Sequence, residues 1–384
     1  MPVEGIGNGF DFLTKDLIER KGFDSETYGT DICPDDEMFY KAILPGYNNN
    51  QGLALFKYIE SGFRIFDIYK QLVAHLGDFS AIGPVLDFGS GCGRLTRSLI
   101  HLLPKSQIWV SDLYPYALTW QAESFGVNAL ASVRNPDHFA LEQEHTIILA
   151  GSVFSHLPDA IFRRWLSRLI RIVAPRGMLA ISVHAENLLP AGETIGEGGF
   201  RYLGWSESES HEADVYGMMY VTEDYMAKVV AECDPSRKLS YRRYPKALYE
   251  NQDLYVIAGD EVDLSALDLT ITPIGGTDRI RQKGDVIECI GWGIDLNPGH
   301  QLVRAEVYYN DEHVSTEVPV ADNVAALTYF PGAPNTPVSW VVEVPIEQAA
   351  SGVLRVDLVS SSGAIAHCYA AMLGSTDPDM IRRT

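Results

Sequence analysis

The pattern of apolar and polar residues changes along the chain and divides it into regions. After a start without strong periodicity, apolar runs alternate with amphipathic stretches up to about residue 259. This alternation predicts strands joined by crossover helices in a mostly parallel sheet, which is an α/β fold. The predicted strands are 85–88, 108–112, 128–133, 146–150, 178–183, 239–244 and 253–258.

Helical spacing of apolar residues predicts the elements between these strands. Residues 53–76 predict one or two helices before the first strand, and residues 95–103 predict a helix that Pro104 ends. A later helix is predicted over 222–233, with Thr222 as its N-cap.

Past residue 259 the pattern becomes one of short alternating runs separated by turn residues. The runs at 286–292, 303–309 and 353–359 are typical of strands in a small all-β sandwich. The predicted parts are an N-terminal extension at 1–50, an α/β domain at 51–259 and an all-β sandwich at 260–384.

The first predicted strand leads directly into a glycine loop. Gly89, Gly91 and Gly93 alternate with other residues, which lets the backbone turn sharply and approach a ligand closely. A dinucleotide-binding loop needs its third glycine or an alanine where this chain has Arg94, so a pyrophosphate ligand is disfavoured. Asp87 at the strand end is available to a cationic or hydrogen-bond-donating group of the ligand.

The sequence D-x-G-x-G-x-G at 87–93, with the order of strands after it, resembles motif I of the class I S-adenosylmethionine-dependent methyltransferases. The resemblance covers about residues 50–259. It implies a Rossmann-like, three-layer α/β/α domain with a seven-stranded sheet. Members of this family close the sheet with a helix and two strands, the last inserted antiparallel, and the segments at 222–233, 239–244 and 253–258 fit them.

The resemblance also implies the cofactor, S-adenosyl-L-methionine, and its product, S-adenosyl-L-homocysteine. Asp112, at the end of the second strand, carries over as the ribose ligand, and it also fits a helix N-cap before Pro115. The segment after the fourth strand is implied to run beside the methionyl part. The predicted cofactor-binding residues are Asp87, Gly89, Ser90, Gly91, Gly93, Arg94, Asp112, Leu113, Gly151, Ser152 and Val153.

Methyl transfer to a hydroxyl requires a base at the sulfonium edge of the cofactor. His184 ends the fifth strand and His156 follows the fourth, and a neutral imidazole has a suitable pKa for this role. We predict His184 as the base, His156 as the second candidate and Glu186 as an orienter or alternate base. Each histidine has a structural hydrogen-bonding role as its alternative.

The acceptor is expected to meet an insertion at 185–221, since loops this long inside a compact domain are usually functional. Its aromatic residues are expected to stack on a sugar or another ring. Its acids are expected to bind hydroxyls or to form a solvated lid. The predicted acceptor contacts are Tyr58, Tyr202, Trp205, His211, Tyr216 and Tyr220. For Tyr58, ordinary core packing is the alternative.

Composition limits the partners and the compartment. The net charge of −21 argues against a nucleic-acid partner, because a phosphate backbone is bound through basic surface. No apolar stretch has transmembrane length and the start lacks a signal-peptide pattern, so a cytoplasmic location is expected. Five cysteines without C-x-x-C spacing predict free thiols and no metal site. Oligomerisation is left open.

The segments at 291–295, 307–310 and 352–356 resemble Ig-like modules appended to bacterial surface-polysaccharide enzymes. This second resemblance implies a sugar or glycan acceptor, methylated on a hydroxyl oxygen. A methyltransferase acting on a small secondary metabolite is the first alternative. A non-catalytic cofactor-binding scaffold and an oxidoreductase of the same architecture are further alternatives.

Overall fold

A computed structural model of the chain forms two compact units. The first comprises Met1–Thr27, Leu44–Glu60 and Thr270–Thr384, and the second comprises Tyr28–Ile43 and Ser61–Leu269. The domain bounds predicted from the sequence stay a prediction. The structure describes residues 11–78, 82–141, 143–205, 216–234, 238–249, 251–309, 312–318, 320–324, 327, 330, 333–345 and 352–372.

The second unit is built on a single sheet whose main run has the order β3-β2-β1-β4-β5-β9-β8. Strands β3, β2, β1, β4 and β5 are parallel, whereas β9 lies antiparallel between β5 and β8. The predicted α/β fold with a mostly parallel sheet is therefore confirmed, but over the described residues the sheet has nine strands instead of the predicted seven. The strands are β1 Val85–Phe88, β2 Ile108–Asp112, β3 Asn128–Ala131, β4 His145–Ala150, β5 Val173–Ala185, β6 Phe200–Leu203, β7 Met218–Val221, β8 Ser240–Leu248 and β9 Gln252–Ala258.

Strands β6 and β7 form a hairpin that the sequence did not predict. The hairpin lies within the 185–221 insertion, and β7 continues the sheet beside the last two residues of β5. His184 pairs with Gln252 of β9 on one side of this junction and with Tyr220 of β7 on the other. The carboxyl end of β5 thus has β9 on one side and β7 on the other.

The helices of the described residues are divided between the two units. They are α1 Asp11–Arg20, α2 Leu44–Gly46, α3 Gln51–Leu76, α4 Thr96–Leu99, α5 Pro115–Phe125, α6 Asp159–Arg171 and α7 Glu223–Cys233. Helices α6 and α7 share one apolar core with the sheet, and α5 packs on β2 and β3. Within the described residues, no helix combines the length and apolar character needed to cross a membrane.

The helix predicted at 95–103 is shorter in the structure. Only α4 is regular, and after it the backbone N–H groups of His101 and Leu102 bond to carbonyls three residues earlier. The N–H of Leu103 bonds to the carbonyl of Leu99, four residues earlier, so the predicted helix ends in mixed turns.

Strand β5 begins five residues before its predicted start at 178. The sequence Pro-Arg-Gly at 175–177 was expected to precede the strand. Instead it forms an irregularity inside β5, where the pairing register with β4 shifts. A Cβ on Gly177 would lie 2.7 Å from the carbonyl oxygen of Thr146, so glycine permits the close approach of the two strands here.

Helix α7 begins at its predicted cap. The Oγ1 of Thr222 accepts the backbone N–H of Tyr225 at 3.2 Å. We expect Thr222→Ala to lower the free energy of unfolding by about 1 kcal/mol, since one terminal N–H loses its partner. Chemical denaturation measures this loss. Thr222→Ser keeps the hydroxyl and is the matched control, so an equal loss in both variants would contradict the capping role.

The C-terminal part of the first unit contains two antiparallel four-stranded sheets, ordered β10-β11-β15-β14 and β13-β12-β16-β17. Both contribute to one core, with Trp340 from the first sheet and Val356 from the second. The predicted β-sandwich is present, and its likeness to Ig-like modules stays a prediction. The strands are β10 Ile274–Lys283, β11 Val286–Ile294, β12 Leu302–Tyr309, β13 Glu312–Val318, β14 Val320–Asp322, β15 Val338–Pro345, β16 Gly352–Ser360 and β17 Ile365–Met372.

Helix α1 is joined to the second of these sheets by buried polar contacts. Asp16 accepts hydrogen bonds from Arg355 at 3.3 Å and from the Tyr369 hydroxyl at 2.7 Å. Arg355 is nearly fully buried and also donates to Asp357 at 2.9 Å. A charge removed from water at this depth requires such partners, so the contacts tie the N-terminal helix to the sheet.

Candidate functional site

The glycine loop turns at the carboxyl end of β1 and is packed tightly at two of its glycines. Gly89 has φ of +73° and Gly93 has φ of +86°, both in the left-handed region that favours glycine. A Cβ on Gly89 would collide with Val153, and a Cβ on Gly93 would lie 2.6 Å from the Phe125 ring. These two positions therefore need glycine to fit the surrounding protein.

Gly91 needs glycine for a different reason. Its φ is +54°, yet nothing in the described structure lies within 4 Å of the position that its Cβ would take. A hydrogen bond fixes the backbone of Gly91, since its N–H donates to Asp112 Oδ2 at 2.8 Å. The loop therefore presents bare backbone towards open space, which is the shape of a ligand cradle.

Asp112 ends β2 and reaches beneath the same loop. Besides the bond from Gly91, its Oδ1 accepts the N–H of Tyr114 at 3.0 Å. The predicted N-cap role of Asp112 is wrong, because the N-cap of the helix that begins at Pro115 is Tyr114. The Tyr114 contact caps the turn before that helix, and the predicted contact of Asp112 with the cofactor ribose stays a prediction.

Asp87 is a buried acid at the end of β1. Burial, with a smaller contribution from the neighbouring Asp112, raises its pKa to about 7, while a hydrogen bond from Thr96 and the charge of Arg94 oppose the rise. The Thr96 hydroxyl lies 3.4 Å from Asp87 Oδ2. A carboxyl with this pKa releases its proton readily when a cationic group approaches.

Arg94 follows the loop, and its guanidinium is held by protein groups. It donates to Ser61 Oγ at 3.2 Å and to the Tyr249 hydroxyl at 3.0 Å. These contacts tie the loop to α3 and to the turn between β8 and β9. Arg94 therefore positions the loop in this structure, and its predicted direct contact with a cofactor stays a prediction.

The other predicted cofactor residues also lie at the carboxyl edge of the sheet. Leu113 directly follows Asp112 and is 40 % exposed. Gly151, Ser152 and Val153 follow β4, where Val153 packs against the loop at Gly89. In an open parallel sheet, ligands bind outside the carboxyl ends of the strands. The structure thus brings residues after β1, β2 and β4 to one edge.

The two predicted base histidines are neighbours. The ring centroids of His156 and His184 are 5.8 Å apart, with the ring planes nearly perpendicular. Both side chains are buried. Burial lowers the pKa of His184 to about 4, so this imidazole is neutral at pH 7. His156 Nδ1 donates to the carbonyl of Gly217 at 2.8 Å, which fixes its ring.

Three polar side chains join these histidines in a network that the sequence did not predict. Ser182 on β5 donates to Gln252 Oε1 at 2.6 Å, and Gln252 Nε2 donates to Ser152 Oγ at 2.9 Å. Ser152 Oγ lies 3.5 Å from His156, and Gln252 Nε2 lies 3.5 Å from His184. The network therefore joins both candidate bases through one amide.

Aromatic residues of the insertion stand beside the histidines. Tyr216 stacks on His156 with centroids 4.5 Å apart, and Tyr220 lies 5.4 Å from His184. Tyr202 is half-buried, and its hydroxyl approaches Gly217. These three predicted acceptor contacts are thus assembled near the predicted bases.

The remaining predictions are placed differently. Trp205 is 51 % exposed, and Glu186 is exposed after the end of β5. Tyr58 is almost fully buried in α3, which favours its packing alternative. His211 lies outside the described residues, as do the acids at 207, 209, 212 and 214.

Gln121 is another side chain that the sequence reasoning missed. From α5 it donates to Ser90 Oγ and to the carbonyl of Gly91, both at 2.8 Å. Its position inside an amphipathic helix gives no local signal of this role, because the contact joins residues 30 positions apart.

A protein-family model described as "Methyltransferase domain" matches residues 86–179, which run from β1 into β5. Residues 86–179 are therefore similar to a methyltransferase domain. The matched segment includes the glycine loop, Asp112, Ser152 and His156. His184 and the 185–221 insertion lie beyond it. No curated protein matches the chain.

Several solved structures are similar to parts of this chain. The glycopeptide N-methyltransferase MtfA complexed with sinefungin is 16 % identical, with a TM-score of 0.36, over 49 % of this chain and 91 % of that one. An S-adenosylmethionine-dependent methyltransferase from Clostridium acetobutylicum is 11 % identical, with a TM-score of 0.38, over 52 % and 91 %. The Burkholderia thailandensis 1,6-didemethyltoxoflavin-N1-methyltransferase is 18 % identical, with a TM-score of 0.37, over 60 % and 90 %. Likeness at this level is weak.

Proposed function

We propose that this protein is an S-adenosylmethionine-dependent methyltransferase that methylates a hydroxyl oxygen of a sugar or glycan. The observation that carries the proposal is the open position at Gly91, set between Asp87 and Asp112 inside the matched methyltransferase segment. S-adenosyl-L-methionine is the cofactor, and S-adenosyl-L-homocysteine is the product.

The charges around the loop suit this cofactor better than a dinucleotide. S-adenosylmethionine carries an ammonium and a sulfonium, whereas a dinucleotide would place a pyrophosphate beside the two carboxyls of Asp87 and Asp112. Asp87 would pair with the ammonium, since its raised pKa falls when a cation is bound nearby. Asp112 would accept the ribose hydroxyls, since its carboxylate ends the second strand directly beside the glycine loop.

For methyl transfer the protein has to align the acceptor oxygen with the methyl group and to remove the acceptor proton. The bound cofactor supplies a methyl group whose bond to sulfur breaks, with the electron pair remaining on sulfur, as the acceptor oxygen forms the new bond. The acceptor proton then needs a base. His184 and His156 are neighbouring imidazoles at the correct edge of the sheet, with Glu186 as an orienter or alternate base.

The acceptor class is supported by the groups near these histidines. Tyr216 and Tyr220 offer aromatic rings of the kind on which sugars stack, with Tyr202 and Trp205 in the same insertion. The net charge of −21 favours a neutral or cationic acceptor over a phosphate-rich one. A small secondary metabolite with a ring would meet the same residues and is the second candidate.

Calorimetric titration and a labelled-methyl assay test the proposal. We expect S-adenosylmethionine to bind and a nicotinamide dinucleotide not to bind. Label from the cofactor methyl group should appear on sugars or glycans in an acceptor pool. Tight binding of the dinucleotide alone would indicate an oxidoreductase. Cofactor binding without any transfer would indicate a non-catalytic scaffold, and transfer only to non-sugar metabolites would favour the second candidate.

Asp112→Ala is expected to lower the affinity for S-adenosylmethionine by about 10- to 100-fold. The change removes the proposed ribose contact, since hydrogen bonds to a charged group contribute about 1.5–3 kcal/mol, and it also removes the acceptor that holds the N–H groups of Gly91 and Tyr114. Isothermal titration measures the affinity. Asp268→Ala, at an exposed position outside the loop, is the control and should bind as the wild type does.

A further inference from the structure

Ser152, Ser182 and Gln252 form a closed ring of hydrogen bonds. The backbone N–H of Ser152 donates to Ser182 Oγ at 2.7 Å, Ser182 donates to Gln252 Oε1, and Gln252 Nε2 donates back to Ser152 Oγ. A hydroxyl that accepts from an N–H still has its own proton to donate, so every bond in the ring has one direction. The ring fixes the orientation of the Gln252 amide.

This orientation decides the protonation of His184. The amide nitrogen of Gln252 lies 3.5 Å from His184 Nε2, and an amide nitrogen only donates. We therefore assign Nε2 of His184 as the acceptor, which places the proton on Nδ1, a buried atom without a hydrogen-bond partner among the described residues. With that lone pair engaged and the ring buried, His184 is a poor proton acceptor at neutral pH.

The Gln252 amide acts on His156 indirectly, through Ser152. His156 Nδ1 donates to the carbonyl of Gly217, so in the neutral ring Nε2 is the acceptor nitrogen, and it lies 3.5 Å from Ser152 Oγ. Ser152 Oγ already accepts from Gln252, so its own proton is free to point towards His156. The hydroxyl of Ser152 is thus aligned between an amide donor and an imidazole acceptor.

Ser152 is also the member of this group that an acceptor can reach. Ser182, Gln252 and both histidines are at most 7 % exposed, whereas Ser152 is half-buried. Ser152 has φ of +57°, a left-handed conformation that is costly for a residue with a side chain. Such strain is concentrated at functional positions.

We propose that Gln252 is a positioning residue that makes His156, and not His184, the proton acceptor, with Ser152 as the relay. The acceptor hydroxyl gives its proton to Ser152 Oγ while the Ser152 proton passes to His156 Nε2. One proton enters Ser152 and one leaves it, and His156 becomes an imidazolium whose Nδ1–H remains on Gly217. The relay rests on the proposed methyl transfer and revises the order of bases predicted from the sequence.

Nitrogen NMR of histidine-labelled protein without ligand tests the role of Gln252 independently of turnover. In the wild type we expect neutral His184 and His156 with their protons on Nδ1. Gln252→Glu keeps the shape but replaces the donor by a carboxylate, so we expect the pKa of His184 to rise by at least one unit. A His184 proton on Nε2 in the wild type, or an unchanged titration in Gln252→Glu, overturns the inference.

Turnover tests the relay. Ser152→Ala should lower kcat by about 100-fold at saturating cofactor, because the proton path is lost. Ser155→Ala is the matched control. Its buried hydroxyl has no hydrogen-bond partner among the described residues, so wild-type turnover is expected. Equal kcat in Ser152→Ala and the wild type overturns the relay.

The two proposals fail in distinguishable ways. A wild-type protein that transfers no methyl group would refute the proposed function, whereas the NMR titration would still decide what Gln252 does to the histidines. Gln252→Glu should also shift the acidic limb of the pH profile of kcat, while the affinity for the cofactor stays that of the wild type. A lower kcat with an unshifted profile would mean that Gln252 is only structural.

Discussion

Gly91→Ala is expected to lower the affinity for S-adenosylmethionine by more than 100-fold while the protein stays folded. The added methyl group points into the open position where the cofactor backbone contact is proposed, so binding is blocked by direct overlap. No protein atom of the described structure opposes the methyl group. The cost in stability is then limited to the left-handed φ of +54°, about 1–2 kcal/mol.

Gly93→Ala is the matched comparison. It has the same kind of backbone conformation, but its Cβ would lie 2.6 Å from Phe125 and 2.9 Å from Gln121. We expect it to lose about 1–3 kcal/mol more than Gly91→Ala, because overpacking adds to the backbone cost. Chemical denaturation gives the two stabilities and calorimetry gives the affinity.

The result that matters is the separation of the two effects. Gly91→Ala should be the more stable variant and yet fail to bind. If Gly91→Ala binds within threefold of the wild type, the open position is not the cofactor cradle, and the central observation of the proposed function is lost.

Asp87→Asn is expected to stabilise the ligand-free protein and to weaken cofactor binding at the same time. The folded pKa of about 7 lies above the usual value of 3.8, so the folded state holds this proton more tightly than the unfolded chain does. Stability is therefore lost as pH rises from about 4 through 7, and the loss is complete above pH 7. A shift of this size corresponds to about 4 kcal/mol.

The amide cannot ionise, so the gain from Asp87→Asn should appear at pH 8 and vanish near pH 4. Unfolding measured at both pH values tests this sign. Calorimetry at pH 8 should show at least tenfold weaker binding of S-adenosylmethionine, since the partner of its ammonium is neutral. The exposed Asp268→Asn is the control and should change neither quantity. A loss of stability at pH 8 in Asp87→Asn would falsify the assignment of Asp87 as a buried acid with a raised pKa.

Much of the cofactor edge was predictable because its signals are local. The glycines at 89, 91 and 93 follow a buried strand directly, and Asp112 ends the next strand, so short patterns carry the geometry. Parallel strands place their carboxyl ends at one edge, which brings these segments together without further information. The antiparallel β9 was anticipated through the family resemblance.

The base network was not predictable, because its bonds join distant residues. Ser152 and Gln252 are 100 positions apart, and Ser182 and Gln252 are 70 apart. No periodicity marks a glutamine at a strand end as a donor to a histidine. The sequence predicts His184 as the base before His156 from strand position alone. Our proposal reverses this ranking, because it rests on the direction of each hydrogen bond.

The insertion of β9 between β5 and β8 has a consequence for protein synthesis. Gln252 is the first residue of β9, and β9 is the last strand of the sheet to leave the ribosome. Chains are made from the N-terminus, so the glycine loop and both histidines exist before their shared amide does. A chain truncated before residue 252 would contain the glycine loop but lack β9. It would therefore lack Gln252, which in our proposal determines which histidine accepts the proton.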